Sequence, residues 1–398
     1  MISSDSRRCS SRTPAQSRWR SSPILPRKDG QRESLRSPLE REDADRRIGV
    51  RTHRWGVHSV SGGSTDEYES AGHGLCLASV EPERAVLAKV GAELVVAPDG
   101  AEETLSALAT DVDGILTCFA QVTDRVLRAA VRCKVVGRYG VGVDNIAVDS
   151  ATELGIAVTY VPDYCVDEVS DHVMALLLAW NRRIGLFDNS VKATGWGSVA
   201  LTMRIMRLRG KKLGIVGFGR IGRAVATKAQ AFGLEVLAHD PYVSADAGAE
   251  QGVEMVEMER LLAEPDFVTV HSPLTPETTN LISTKELGLM KREAFLINAA
   301  RGPLVDEDAL YSALTDQKIA GAGLDVLVDP DPPPDHPLLK LENVVVTPHV
   351  AFFSQEAVLE LEERAAGEVA RVLQGQMPDN LVNPAVLSSS RAALPAAG

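Results

Sequence analysis

The stretch LGIVGFGRIGRAVATKAQAF, residues 213–232, decides the fold of this chain. LGIV has the apolar run of a buried strand, and RAVATKAQAF has the pattern of a helix that follows directly. Between them, Gly217, Gly219 and Gly222 form the spacing G-x-G-x-x-G, which permits a tight turn, close approach to a pyrophosphate and close helix–strand packing. The helix N-terminus offers free N–H groups to the phosphates. The stretch therefore predicts a dinucleotide-binding βαβ unit.

Asp240 strengthens this interpretation and indicates which dinucleotide binds. It ends the next predicted strand, eighteen residues after Gly222, where a carboxylate accepts hydrogen bonds from the adenosine ribose hydroxyls. A 2′-phosphate would be repelled there, and the residues that follow are Pro241 and Tyr242 rather than an arginine. We therefore expect NAD rather than NADP.

Predicted strands alternate with predicted helices on both sides of the glycine motif. Such βαβ repetition predicts parallel sheets that are covered by helices on both faces. We predict an α/β fold with two Rossmann-like, doubly wound parallel-sheet domains. The strands expected before the motif are LCLASV (75–80), AELVVA (92–97), GILTCF (114–119) and KVVGRYG (134–140). Those from the motif onward are LGIV (213–216), LEVLAHD (234–240), DFVTVHS (266–272), AFLINAA (294–300), IAGAGLDV (319–326) and NVVVTP (343–348).

The last predicted helix, in EAVLELEERAAGEVARVLQG, has to return to the first group of strands. We therefore expect a substrate domain in two pieces, 74–170 and 350–385, with the NAD-binding domain, 171–349, inserted between them. VDEVSDHVMALLLAWNRRI (166–184) is apolar nearly all round, which predicts a helix buried between domains or in a subunit interface.

The ends of the chain differ in composition from its body. Residues 1–73 are rich in Ser, Arg and Pro without apolar periodicity, so we predict a disordered tail there and a second one at 386–398. Residues 1–60 carry 14 Lys and Arg against 7 Asp and Glu, whereas the other 338 residues carry 28 against 47. An acidic body argues against nucleic acid as a partner.

The cysteines and the hydropathy indicate the compartment. The five cysteines are widely spaced without a C-x-x-C pair, which favours a reducing cytosol over secretion or a metal site. Cys165 is expected to be a buried, inert thiol. No run of about twenty apolar residues predicts a membrane span. We expect a cytoplasmic protein that binds no metal.

From Gly74 to Pro384 the chain resembles the D-isomer-specific 2-hydroxyacid dehydrogenase family. The matching stretches follow one another in the family's order. They are GRYGVGVDN (137–145), LGIVGFGRIG (213–222), HSPLTPETTNLI (271–282), MKREAFLINAARGPLVDEDAL (290–310), AGLDV (322–326) and NVVVTPHVA (343–351). The sequence of the stretch VPDYCVDEVSDH (161–172) is similar to that of bacterial relatives of C-terminal-binding proteins.

The resemblance implies hydride transfer between nicotinamide C4 and C2 of a 2-hydroxy or 2-oxo acid. Arg301 in NAARG matches the arginine that forks onto the substrate carboxylate. His349 in TPHVA matches the general acid and base. Each follows a predicted strand, where ligands bind to parallel sheets. His336 is expected to face solvent, and His271 to be a packing residue near the cofactor.

The carboxylate that assists the histidine is where the sequence departs from the family. Relatives carry glutamate five residues after the aspartate of the LDV motif, and that position is Pro330 here. We favour Asp329, because a one-residue deletion aligns it with the family's acid–proline pair. Asp331 and a purely solvated loop remain alternatives.

Other site residues are implied by the resemblance. Asp325 is expected near the nicotinamide carboxamide, and Val141 and Gly142 are expected to receive the substrate carboxylate. The expected cofactor-binding residues are Gly217, Gly219, Arg220, Ile221, Gly222, Asp240, Pro273, Thr278, Ala299, Ala300 and Asp325.

The substrate is expected to be a small 2-oxo acid such as glyoxylate or hydroxypyruvate. Phosphoglycerate-specific members carry cations where this chain has Thr117 and Gln121, which leaves Arg138 as the cation near the substrate side. The alternative is an NAD(H)-sensing interaction protein with marginal turnover. We expect a homodimer, by analogy with the family.

Overall fold

The computed structural model describes residues 57–62, 68–70, 80–196 and 205–395, and their strands form two sheets. The strands are β1 (Val57–Gly62), β2 (Tyr68–Ser70), β3 (Val95–Val96), β4 (Gly114–Thr117), β5 (Val135–Arg138), β6 (Ala157–Thr159), β7 (Lys212–Val216), β8 (Glu235–His239), β9 (Glu254–Met255), β10 (Phe267–Val270), β11 (Phe295–Asn298), β12 (Gly321–Leu324) and β13 (Val344–Val346). The strands and the helices that cover them confirm the predicted α/β class.

The helices alternate with the strands along the chain. They are α1 (Glu81–Leu87), α2 (Glu102–Leu108), α3 (Asp124–Ala129), α4 (Val148–Glu153), α5 (Val166–Arg182), α6 (Ile184–Thr194), α7 (Arg220–Ala231), α8 (Ala245–Ala249), α9 (Met258–Ala263), α10 (Thr284–Leu289), α11 (Glu307–Thr315) and α12 (Gln355–Leu373). No helix in the described ranges has both the length and the apolar character that crossing a membrane requires.

The first sheet has the order β2-β1-β4-β5-β6, with β3 also paired to β1. Strands β4, β5 and β6 are parallel, whereas β1 runs antiparallel to its neighbours. Successive strand residues point to opposite faces. Ile115 of β4 therefore packs with helices α2 to α4, while Leu116 packs with α1 and α12.

Two stretches predicted to be disordered carry structure. Strands β1 and β2 lie within 1–73, and β1 pairs with β4, whose backbone groups need a partner at that edge. Near the C-terminus, within 386–398, Val386 and Leu394 are buried in the core beneath α12, and Arg391 donates to the carbonyl of Ala130. Predicted strand LCLASV lies outside the described residues except for Val80.

The second sheet is parallel throughout, in the order β13-β12-β11-β10-β7-β8-β9. The direction in which the chain adds strands reverses between β7 and β10, and ligands of doubly wound sheets bind at such a switch point. The short edge strand β9 adds to the six predicted strands.

Helix α5 packs on this second sheet through one face. Trp180 stacks on Phe295 with ring centroids 4.4 Å apart and meets Phe267 edge-on, and Val173 and Leu177 are fully buried beside them. Asp167 and Asp171 on the opposite side are exposed. The helix is therefore amphipathic, and its apolar face is covered by the strands of its own sheet.

Candidate active site

The glycine turn joins β7 to α7 at the switch point. Gly217 has φ +93°, and a Cβ there would lie 2.7 Å from the amide nitrogen of Ser272, so the turn requires glycine. A Cβ on Gly222 would collide with the carbonyl oxygen of Gly217. By contrast, a Cβ on Gly219 would meet nothing within 4 Å. The open space above Gly219 and the uncapped start of α7 fit the pyrophosphate of a dinucleotide.

Asp240 lies beside this turn. Its Oδ2 accepts a hydrogen bond from the amide of Phe218 at 2.8 Å, and its Oδ1 accepts one from the amide of Tyr242 at 2.9 Å. The half-buried carboxylate thus connects the end of β8 to the glycine turn.

Two adjoining cavities lie between the carboxyl ends of the two sheets. The smaller cavity, about 490 Å³, is lined by Gly219 and Asp325, whereas the larger cavity, about 930 Å³, is lined by Gln121 and Asp331. Of the residues predicted to contact cofactor or substrate, most line the smaller cavity. They are Val141, Gly142, Gly219, Arg220, Ile221, Gly222, Pro273, Ala299, Ala300, Arg301, Asp325 and His349.

Thr278 shapes the site without lining either cavity. Its hydroxyl donates to the carbonyl of Pro273 at 2.7 Å and accepts from the amide of Thr275 at 2.7 Å. Thr278 therefore folds the loop after β10, and Thr275, which was not predicted, lines the smaller cavity.

Arg301 and His349 line both cavities, so the structure brings the predicted arginine and histidine to one place. Arg301 follows β11, and its Nη1 donates to the carbonyl of Ala300 at 2.8 Å. The ring of His349 meets Phe119 edge-on at 5.0 Å and Phe352 at 6.3 Å between centroids. These contacts come from both sheets' loops and hold the imidazole in the cleft.

Asp144 was not predicted. Its Oδ1 accepts from Nε of Arg301 at 3.0 Å, and a Cβ on neighbouring Gly142 would collide with Nη2 of the same guanidinium. Burial raises the pKa of Asp144, but Arg301 outweighs it and holds that pKa below its usual value. The carboxylate therefore stays ionised and orients Arg301. In the sequence, the dipeptide Asp144-Asn145 is typical of a turn, so it did not indicate this role.

Arg138 is a second cation beside the cavities. It ends β5, is 4% exposed, and lines both cavities. Its Nε donates to Oδ1 of Asn145 at 3.0 Å, and its guanidinium lies 5.4 Å from the centroid of Phe119. Burial, with Arg301 nearby, lowers the pKa of Arg138. The guanidinium therefore shares both cavities with Arg301.

The loop after β12 carries the candidate acids. Asp329 is exposed and lines neither cavity, and its Oδ1 accepts from the amide of Asp331 at 2.9 Å. Pro330 and Asp331 line the larger cavity. The structure therefore brings Asp331, but not Asp329, to the cavity of Arg301 and His349.

His336 in the same loop differs from its expected exposure to solvent. Its side chain is only 17% exposed, and Nε2 lies 3.4 Å from Oε2 of Glu307. The other oxygen of Glu307 accepts from the amide of Val328 at 2.7 Å. Glu307 thus ties both the loop backbone and His336 to α11, and His336 is a structural residue of the loop.

Burial shifts the pKa values of three further residues that line the smaller cavity. Burial lowers the pKa of His271 to about 4, so its ring is neutral, and Nε2 lies 3.0 Å from the hydroxyl of Thr269. Burial raises the pKa of the Cys165 thiol to about 12, so the thiol stays protonated near neutral pH. Burial also raises the pKa of Asp325, although its hydrogen bonds, of which that from Thr347 has the largest effect, act to lower it.

Among the described residues, no group of His, Cys, Asp and Glu side chains is arranged to hold a metal ion.

Comparison with known proteins gives one family. Residues 174–351 match the model of the D-isomer specific 2-hydroxyacid dehydrogenase, NAD binding domain. A glyoxylate reductase of Korarchaeum cryptofilum is 43% identical over 280 residues, which cover 70% of this chain and 84% of that protein. A D-3-phosphoglycerate dehydrogenase of Methanocaldococcus jannaschii is 40% identical over 300 residues, 75% of this chain but only 56% of the relative's own length.

The fold has solved counterparts. The D-lactate dehydrogenase from Aquifex aeolicus, complexed with NAD and lactic acid, is 29% identical, with a TM-score of 0.65 over 70% of this chain and 88% of that one. The glyoxylate reductase and phosphoglycerate dehydrogenase relatives have similar identity, so relatedness leaves the substrate undecided.

Proposed function

The chain belongs to the D-isomer-specific 2-hydroxyacid dehydrogenase family, and from that membership we propose that it reduces a small 2-oxo acid to the D-2-hydroxy acid with NADH. The observation that carries the proposal is that Arg301 and His349 line the same cavity as the glycine turn. A ligand on the turn and a small acid beside the arginine would therefore share one space.

Arg301 would hold the substrate carboxylate. Its Nε is used by Asp144 and one Nη1 hydrogen by the carbonyl of Ala300, so Nη2 and the remaining Nη1 hydrogen are left for a ligand. Two parallel N–H groups match the two oxygens of a carboxylate. The same guanidinium polarises the neighbouring carbonyl at C2.

His349 would supply the proton. A nicotinamide cofactor held at the glycine turn would supply the hydride to C2 as NADH and would take it back as NAD+ in the oxidative direction. His349 gives its proton to the carbonyl oxygen as that oxygen becomes a hydroxyl, and takes the proton back in the reverse direction. Phe119 and Phe352 pack against the imidazole and cover part of its surface.

The charges of the larger cavity support a monoanionic substrate. Arg138 and Arg301 face three carboxylates in its lining, those of Asp99, Asp144 and Asp331. The hydroxyl of Thr117 is buried and donates to a main-chain carbonyl at 2.9 Å, so it offers nothing to a ligand. A phosphate dianion would be repelled by this lining, and we propose glyoxylate or hydroxypyruvate over a phosphorylated acid.

A substrate screen tests the proposal. Purified protein is mixed with NADH and, separately, glyoxylate, hydroxypyruvate, pyruvate and 3-phosphohydroxypyruvate, and loss of NADH absorbance is followed. We expect turnover with the first two and little with the phosphorylated acid. His349→Ala should abolish turnover and retain NADH binding, whereas the matched variant His336→Ala should remain active. NADH binding without turnover of any acid would instead support an NAD(H)-sensing interaction protein.

We further propose that two copies of the chain form a dimer through α6. This helix has no buried residues, exposes Ile184 and Leu186 by 56% and 43%, and is followed by Trp196, which is 95% exposed. Exposed apolar side chains along one helix favour contact with a second apolar surface. Ile184→Glu with Leu186→Glu should give monomers in sedimentation experiments, and an unchanged assembly would contradict the proposed surface.

A further inference from the structure

His349 lies in an unusual backbone conformation. Its φ is +54°, a left-handed value that costs free energy in a residue with a Cβ. Residues 347–354, here called the His349 turn, must therefore be held by contacts that outweigh this cost. Because the imidazole is proposed to transfer a proton, the contacts that hold the turn also set the position from which that proton is transferred.

Asp325 lies at the centre of the turn. Three consecutive amides point at it: that of His349 donates to its main-chain carbonyl at 2.7 Å, that of Val350 to Oδ1 at 3.0 Å, and that of Ala351 to Oδ2 at 2.9 Å. The residue is 1% exposed, so its carboxylate depends on these donors. The left-handed conformation of His349 is what allows successive amides to converge in this way.

A histidine of helix α5 completes the shell around that carboxylate. The hydroxyl of Thr347 lies 2.6 Å from Oδ1 of Asp325 and 2.9 Å from Nε2 of His172. A hydroxyl has one proton, and an ionised carboxylate only accepts. Thr347 therefore donates to Asp325, and His172 must donate from Nε2 to Thr347. His172 Nε2 also lies 3.5 Å from Oδ1 of Asp325.

The other end of the turn is attached to the same helix. The hydroxyl of Ser354 donates to Oε1 of Glu168 at 2.7 Å and accepts from the amide of Ala357 at 2.9 Å, so it also begins α12. Glu168 and His172 are four residues apart and lie on one side of α5.

Helix α5 is itself fixed against the cofactor-binding helix. Lys228 of α7 donates to the hydroxyl of Ser170 at 2.8 Å and pairs with Asp171 at 2.7 Å. The turn that bears His349 is thus tied at both ends to a helix that is anchored beside the glycine turn.

From these contacts we infer that Glu168 and His172 of α5 are positioning residues that hold the His349 turn in register for proton transfer. The inference rests on the proposed function for its catalytic consequence. Neither residue is required to touch substrate or cofactor. Their effect is expected on the chemical step rather than on NADH binding.

Substitutions at His172 and Thr347 test the inference. His172→Ala and Thr347→Val should each lower kcat by about 10- to 100-fold while the KM for NADH changes less than about twofold. Thr347→Ser keeps the bridging hydroxyl and should retain kcat within about threefold. Arg182→Gln, on an exposed side chain at the far end of the same helix, should behave like the unchanged protein.

Hydrogen exchange of the peptide containing 347–354 gives a second readout that needs no turnover. Exchange should be faster in His172→Ala and Thr347→Val, and unchanged in Thr347→Ser and Arg182→Gln. Unchanged exchange in His172→Ala, or kcat and NADH affinity falling together without rescue by serine, would overturn the inference. If the unsubstituted protein reduces no acid, the proposed function fails, and exchange alone still decides the inference.

Discussion

Nε of Arg301 lies 3.0 Å from Oδ1 of Asp144, and this ion pair joins a loop of the first sheet to the end of a strand of the second. Both side chains are partly exposed, by 24% and 33%. The pair occupies the edge of the guanidinium that a ligand does not need. It therefore serves to aim the arginine rather than to neutralise it.

Asp144→Ala is expected to raise the KM for the 2-oxo acid by about tenfold, because a guanidinium without its partner no longer holds one orientation. The KM for NADH should be unchanged. Steady-state kinetics measure both values. Asp144→Asn retains an oxygen acceptor for Nε and should have the smaller effect. Equal KM values for the acid in all three proteins would show that Asp144 does not orient Arg301.

Asp240→Asn separates the charge of this residue from its structural hydrogen bond. The amide oxygen of asparagine still accepts from the amide of Phe218, so the glycine turn should be retained. Without the negative charge, a 2′-phosphate is repelled less, and kcat/KM with NADPH should rise by about tenfold relative to that with NADH. If the ratio of kcat/KM with NADPH to kcat/KM with NADH does not change, other residues of the ribose site determine the selectivity for NADH.

Features that depend on neighbouring residues could be predicted from the sequence. Gly217 and Gly222 are required by a turn of six residues, and Arg301 and His349 each follow a buried strand, so short segments locate them. Asp144 could not be found in this way, because its partner is 157 positions away. Strand β1 escaped prediction for a related reason: its partner β4 lies more than fifty residues later.

The loop after β12 shows where local patterns stop being sufficient. Its proline-rich sequence predicts stiffness, but the directions of its side chains are set by distant contacts such as that between the Val328 amide and Glu307. Alignment with the family favoured Asp329, whereas the fold brings Asp331 to the larger cavity. A difference of two positions in an irregular loop separates the acid that lines the cavity from the one that does not.

Asp331→Asn and Asp329→Asn form a matched pair that decides which acid assists His349. A neighbouring carboxylate stabilises the imidazolium, and reduction needs the protonated ring. Because Asp331 lines the cavity, we expect Asp331→Asn to move the pH above which the reduction rate falls downward by about 1 unit. Asp329→Asn should leave the profile in place. A shift in Asp329→Asn alone would return the role to the residue that alignment favours.

The buried carboxyl group of Glu362 is expected to make the stability of the protein depend on pH. It is 5% exposed on α12, and burial, together with the charge of nearby Glu83, raises its pKa to about 7. Glu83 is itself fully buried and accepts from the hydroxyl of Tyr139 at 2.9 Å. Between its ordinary value of 4.5 and about 7, the folded protein binds more protons at Glu362 than the unfolded chain does. Stability should therefore fall as pH rises through this window.

Glu362→Gln removes the ionisable group and should stabilise the protein by about 1–3 kcal/mol near pH 8 but hardly at all near pH 3, where the acid is protonated in both states. Urea unfolding at the two pH values measures the difference in free energy. Glu356→Gln, on an exposed side chain in the first turn of α12, controls for the loss of one charge from the helix. A stabilisation that is equal at both pH values would mean that the ionisation of Glu362 does not oppose folding.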